Sequence, residues 1–481
     1  MRRRLLAIVL AGLMLLIAAA CGQRPGVSDD FAGASGILPP GAASVDEEGN
    51  VLDDQGNIIG KSDGGLTGGS AGSAGSSGTS GTTTGGGGSG SGSGGGGTSP
   101  NAADSSQGVT NDTITIGIHA SLTGAAPVPS DSVDKGKDLF FRWNCGEKKK
   151  SLPGGRCIEV ILKNDNYNPS QAVAVCKEMV QKDHVFMLSG AAGTDQIQAC
   201  ARYANSVGVP YLGAGVTEVG LTGLPYFFAT TMTYPDQGPL LADYMVEELG
   251  AKGEKNAMLW FDTPNFADAH DAFVDAMRRK GVTLAYDKAV SKGAGRSQAS
   301  SEVQAMKLRG IQNVFVLVSP VWWLQVLQEA NSQSFAPTWT GVGITKTFDT
   351  VTNVGCRGGP SLDGATFFSP FPAWSDTKRF DPEFDRAVRA LHPEKNGGDD
   401  FMWLSWSGSK LIWEIFERVG ADVSRNKFVQ VLQNTKNLRN GIGPPVSFSP
   451  NDHFGASQVH VSRASCSDNR WHTIQSFVSD W

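Results

Sequence analysis

The sequence predicts an α/β fold in two lobes, and three observations carry the prediction. From Thr113 onward, short apolar runs alternate with amphipathic stretches, the rhythm of parallel strands covered on both faces by helices. Gly-rich turns follow several of the runs. The roughly 370 residues from there to Trp481 are more than one such sheet usually needs, so two lobes are expected.

The first hundred residues read differently. MRRRLLAIVLAGLMLLIAAACG has a basic start, an apolar run and small residues ending in a cysteine, the layout of an export signal over residues 1–20. The run from Leu5 to Ala20 is short for a membrane span of ~20 residues. Ala18-Ala19-Ala20-Cys21 resembles a bacterial lipobox, with Ala18 where a Leu is usual. The resemblance implies cleavage before Cys21 and acylation of its thiol. Residues 21–108, culminating in a Gly/Ser/Thr tract, cannot bury enough apolar surface to offset ordering entropy. They are expected to be a disordered tether with a root-mean-square span of about 50 Å. GGSAG within it matches the hydrolase GxSxG pattern formally, but the strand and helix that motif requires are missing from the reading.

In the globular part TITIGI reads as a strand, SLTG as its turn and Asp131 to Trp143 as a helix. CIEVILKND is the next strand, and Pro169 to Lys182 the next helix, with Pro and Ser at its start. PYFFATT precedes a helix from Pro235 to Leu249, NAMLWF one from Ala267 to Lys280, and NVFVLVS one from Val321 to Ala330. Asp381 to Leu391, Asp400 to Val419 and Ser424 to Asn434 are then helices with no strand between them. PPVSFSP, QVHVSRAS and WHTIQSFV are short strands suited to an antiparallel sheet edge.

The stretch from Val185 to Thr217 looks like a binding edge. VFMLS and PYLGA read as consecutive parallel strands, whose loops arrive at the same carboxyl edge of the sheet. Thr194 stands at the N-cap position of the intervening helix, and Thr217 follows the second strand. Both hydroxyls can donate to an anionic ligand end, and the small residues around them let a ligand approach the backbone. An ordinary pair of βα turns with capping threonines would look the same locally.

A formal net charge of −6 and no basic stripe exclude a nucleic-acid footprint. Seven cysteines leave six once Cys21 is set aside, an even number in an exported chain, so three disulfides are expected. No cysteine or histidine spacing has the form of a metal site, and no cofactor is expected.

Taken in order, ITIGIHASLTG, NDNYNPSQAVAVCKEMV, TTMTYPDQGPLLADYMVEEL and LWFDTPNFADAHDAFVDAM resemble successive units of the type I periplasmic solute-binding proteins. The likeness is to the leucine/isoleucine/valine-binding branch that serves ABC importers, and it covers Thr113 to Trp481. It implies two Rossmann-like lobes, 109–229 with 368–445 and 230–367 with 446–481, joined by a three-segment hinge. Crossovers would fall near Thr230, Phe367 and Pro445, with ligand held between the lobes.

The resemblance places Thr194, Gly215 and Thr217 on the positions that grip a ligand carboxylate. Phe401 falls on an aromatic that lines the side-chain pocket, and Phe266 near a lobe-two aromatic of the cleft. Trp322 occupies another cleft-facing turn, where either ligand contact or helix packing is open, and packing is the reading for Trp323. Two positions depart from the pattern. Ala126 stands near the family's aromatic after the first turn, and Gly343 stands where the family's lobe-two acid meets the ligand ammonium, a charge costly to bury alone. Asp262 or Asp236 would have to replace it. Beside that resemblance, the disulfides are expected as Cys145–Cys157 around a basic loop and Cys176–Cys200 near a common family bridge. Cys356–Cys466 are the two that remain.

The implied protein is no enzyme. It is a lipid-anchored, monomeric receptor on the extracytoplasmic face of the cell membrane, binding a branched-chain amino acid or related small carboxylate for an ABC permease. The alternatives are a sensor of the same fold that signals to a membrane partner and, remotely, a hydrolase, for which no histidine lies in the cleft loops.

Overall fold

The computed structural model describes strand residues 44–45, 50–52 and 58–61, and residues 106–481 apart from 191, 254 and 344–348. The export signal, Cys21 and the Gly/Ser tract lie outside the described residues. Within the span expected to be unstructured, β1 (Ser44–Val45), β2 (Asn50–Leu52) and β3 (Ile58–Lys61) form an antiparallel meander with Val51 opposite Gly60. The paired runs GNVL and GNII, separated by turn-forming residues, supply that hairpin.

In the unit that follows, β4 (Thr113–Ala120), β5 (Cys157–Asn164), β6 (Met187–Gly190), β7 (Tyr211–Gly213) and β8 (Phe227–Ala229) make the lobe-one sheet. It is parallel throughout, in the order β5-β4-β6-β7-β8. One face packs on helices Pro169–Gln181 and Thr194–Ser206 through Met179, Ile197 and Ala201. The other packs on helices Pro382–Leu391, Asp400–Val419 and Arg425–Gln433 through Trp403, Trp406 and Phe428. Asn168 caps the first of these helices, accepting from the N–H groups of Ser170 and Gln171, and Asp399 caps the long one, accepting from Phe401 and Met402.

Lobe two holds β9 (Asn256–Phe261), β10 (Tyr286–Val290), β11 (Asn313–Leu317), β12 (Thr338–Val342), β13 (Thr366–Ser369), β14 (Val459–Ser465) and β15 (Arg470–Val478). Their order is β10-β9-β11-β12-β13-β14-β15. The pairs are parallel up to β13, and β14 and β15 add as an antiparallel edge. PPVSFSP, expected as an edge strand, forms only isolated bridges, Leu438 to Val446 and Ser449 to Asp452. Its Val446 and Phe448 pack in the lobe-one core instead.

The cores record where the chain changes lobe. It leaves lobe one between Ala229 and Met232 and returns after β13, with Phe371 in one core and Ala373 in the other. It crosses last between Ala456 and Val459, later than the expected Pro445, because Val446 to Ala456 still pack against lobe one. Cys145–Cys157, Cys176–Cys200 and Cys356–Cys466 all lie at bonding distance, with Cα atoms 6.2, 6.1 and 5.2 Å apart. Among the described residues no helix is long and apolar enough to cross a membrane.

Candidate functional site

The carboxyl ends of β4, β6 and β7 face lobe two across a cavity of about 260 Å³. On the lobe-one side it is lined by the turn after β6 (Gly190, Ala192, Gly193, Thr194), by Gly213, Ala214 and Val216 after β7, and by Tyr167. Phe401 and further residues on one face of helix Asp400–Val419 extend it into lobe one. Lobe two adds Tyr234, Gln237, Phe266, Ser319 to Val321, and Gly343.

Thr194 is not the helix cap. That position belongs to Gly193, whose φ of 88° favours glycine, and Thr194 is the first helical residue. It is 1% exposed, and its Oγ1 has no hydrogen-bond partner among the described residues. A buried hydroxyl without a partner is costly, so a ligand acceptor here would recover that cost. The helix start adds backbone N–H groups that lack intrahelical partners, a setting that favours an anion.

Three expected contacts are not made by the cavity. The Gly215 N–H donates to Thr231 Oγ1 at 2.7 Å, and a Cβ there would sit 2.1 Å from the Thr231 carbonyl oxygen. Thr217 Oγ1 donates to Asp268 of lobe two and accepts from the Val219 N–H at 3.0 Å. Neither residue lines the cavity. Trp322 is 2% exposed and packs on Phe261 in the lobe-two core, its Nε1 donating to the Gly295 carbonyl at 3.4 Å. One residue earlier on the same helix, Val321 faces the cavity, since each helical residue turns by about 100°. Trp323 also packs in the core, 4.8 Å from the Trp339 ring. Phe266 and Phe401, by contrast, both line the cavity and are 1% and 4% exposed.

No carboxylate occurs among the described lining residues. Gly343 lines the cavity without a side chain, and a Cβ there would meet Pro370 Cδ at 2.9 Å. Asp262 is exposed, and Asp236 accepts from Thr233 Oγ1 at 2.7 Å, so neither replaces the missing acid. Among the described lining residues the only ammonium, Lys137, is paired with Asp134 at 2.6 Å. Burial pushes the Tyr167 phenol up to about 12, with nearby Asp165 adding to the shift, and raises Tyr234 as well, so both stay neutral at ordinary pH. Sequence reasoning missed Gln237, whose Nε2 donates to the Met232 carbonyl at 2.9 Å while its buried Oε1 has no partner among the described residues.

Behind the lobe-one wall lies a sealed polar network. His119 Nδ1 and Nε2 lie 2.8 Å from Asp165 Oδ2 and the Tyr211 hydroxyl, and Ser121 Oγ donates to Asp165 Oδ1 at 2.8 Å. The Tyr167 N–H also donates to Asp165 Oδ1, at 2.9 Å, which fixes Tyr167 at a φ of 55° on the cavity wall. His119, Ser121, Asp165 and Tyr211 are fully buried, and none lines the cavity, so the network braces three strand ends and presents no nucleophile.

Two interlobe contacts flank the site. One is Thr217 with Asp268. The other is Lys292 of lobe two, which pairs with Asp195 and lies over the Tyr167 ring at 4.8 Å. Burial pushes the Lys292 ammonium down to about 8, and the Asp195 carboxylate works against that shift.

A model of the periplasmic binding protein family matches residues 113–469. No curated protein matches the chain by sequence. A solute-binding protein of an ABC transporter from Rhodopseudomonas palustris BisB5, in complex with 3,4-dihydroxybenzoic acid, superposes with a TM-score of 0.64 at 19% identity. The match covers 76% of this chain and 97% of that one. A fatty acid ABC transporter substrate-binding protein from Thermomonospora curvata reaches 0.66 at 16%, covering 79% and 96%. A branched-chain amino acid ABC transporter protein from Thermus thermophilus with bound valine reaches 0.64 at 16%, covering 77% and 97%. At such identities the likeness is one of fold. The fold, its order of elements and the family match over most of the globular part agree: this chain belongs to the periplasmic binding proteins, a family of receptors and not of enzymes.

Proposed function

We propose that the protein is the solute-binding component of an ABC importer, held at the extracytoplasmic face of the membrane through acylated Cys21 and delivering a small apolar carboxylate to a permease. The observation that carries the ligand class is the buried Thr194 hydroxyl, without a partner among the described residues, on a cavity whose described lining holds no carboxylate. A carboxylate accepts from the hydroxyl and from the helix N-terminus. An α-ammonium would meet no counter-charge, which favours an acid over a zwitterion. The anchor and the importer role rest on the lipobox-like AAAC, the Gly/Ser tract and the family.

Thr194→Val removes the hydroxyl and keeps the shape. It should weaken carboxylate binding by roughly 10- to 150-fold, the equivalent of about 1.5 to 3 kcal/mol for a bond to a charged group. Thermal stability should hold or rise, because the lost group has no partner among the described residues. Unchanged affinity by isothermal titration would place the ligand elsewhere. The unpartnered Gln237 Oε1 supports a second reading, in which it accepts from the ammonium of a branched-chain amino acid. Titration with leucine and with its deaminated analogue 4-methylpentanoate decides between the two.

A further inference from the structure

The cavity does not end at Thr194. Phe401, Leu404, Gly408, Leu411 and Ile412 recur at three- and four-residue steps on the face of helix Asp400–Val419 that lines it. From Phe401 to Ile412 the helix rises about 16 Å at 1.5 Å per residue. A ligand with a short side chain, such as a branched-chain amino acid, occupies only the start of such a recess. Ile118 of β4 lines it as well. Ser405 and Ser409 share the helix face, and serine hydroxyls in a helix can turn back onto the preceding carbonyls. The recess also owes its room to small residues. Ala126 lines it with no more than a methyl group, and a Cβ at Gly408 would meet nothing within 4 Å.

We propose that the ligand is an elongated aliphatic monocarboxylate, its carboxylate at Thr194 and its hydrocarbon tail in the lobe-one recess beside Gly408. This rests on the reading of the site as a carboxylate receptor and names the ligand class within it. The unpartnered Thr194 hydroxyl marks the polar end, and the run of apolar residues toward Ile412 marks the direction of the tail.

The test is isothermal titration of the full exported protein with straight-chain acids from butanoate to hexadecanoate, with leucine and benzoate as comparators. Each added methylene buried in the recess should tighten binding about fourfold, and the gain should stop once the tail fills it. Gly408→Leu places a side chain in that open space and replaces a poor helix former, so the melting temperature should not fall. The variant should bind long acids at least tenfold more weakly and leave butanoate unchanged. If leucine or benzoate binds through Thr194 while chain length has no effect, or Gly408→Leu leaves the length profile unmoved, the tail assignment is wrong and the carboxylate receptor stands. If no acid binds and Thr194→Val changes nothing, both readings fall.

Discussion

Lobe one and lobe two meet the ligand space with different chemistry. Lobe one brings the unpartnered Thr194 hydroxyl, the helix N-terminus and the long recess beside helix Asp400–Val419. Lobe two brings Tyr234, Gln237, Phe266 and a bare Gly343, a neutral and largely apolar cover. On the carboxylate reading, both the polar grip and the room for a tail belong to lobe one. Lobe two contributes through contacts such as Asp268 and Lys292, which lie outside the cavity lining and would strengthen every ligand alike.

The covalent staples show the same asymmetry and give the largest expected effect. Lobe one has two short-range bridges, with sequence separations of 12 and 24, whereas the bridge of lobe two closes a separation of 110. Replacing Cys356 and Cys466 by Ser should cost about 4.7 kcal/mol on loop-closure grounds, against about 3 kcal/mol for Cys145 and Cys157. Denaturant unfolding of the two double variants gives both values, and a reversed order would mean that lobe two does not depend on its single staple.

Next in size is Thr217→Val, which leaves the half-buried Asp268 carboxylate without its lobe-one donor. Closure should weaken by about 1 to 3 kcal/mol. Leucine, benzoate and long acids should all lose affinity by the same factor, unlike the carboxylate-dependent loss expected at Thr194. A ligand-dependent loss at Thr217 would erase the division of labour between the lobes.

The smallest effect belongs to pH. His453 stacks on Phe228 at 4.0 Å beside the last crossing, and burial lowers its ring below the usual 6.5. A base with a lowered folded value contributes stability that is complete above the unfolded value. That stability is lost as the pH falls below about 6.5 toward the folded value. Melting temperatures between pH 7 and 5 should show a slight decline that His453→Gln flattens, and the decline should track lobe-one probes.

Much of this was legible in the residues, and the failures have physical reasons. The alternation of apolar runs and helices, the two lobes and all three cysteine pairs follow from local pattern and family likeness. Thr194 and Thr217 look alike in sequence, but one hydroxyl has no partner among the described residues while the other is taken by Asp268, 51 residues away and in the other lobe. Trp322 and Val321 differ by one helical step, and only the packed helix shows which of them faces the cavity. β10 escaped notice because Asp287 and Lys288 interrupt its apolar character. The recess escaped too, since a glycine such as Gly408 on a helix face reads as close packing until the space beside it is seen to be open.

The Cys356–Cys466 bridge joins chain that lies before the second crossing to chain that lies after the third. Everything from Phe384 to Ala456, the helical half of lobe one, is therefore a covalent ring rooted in lobe two. A protease that nicks this ring at any one point produces two polypeptides that stay joined, and β14 and β15 keep their places beside β13. Such damage would pass unseen on a non-reducing gel and appear only when the sulfurs are reduced.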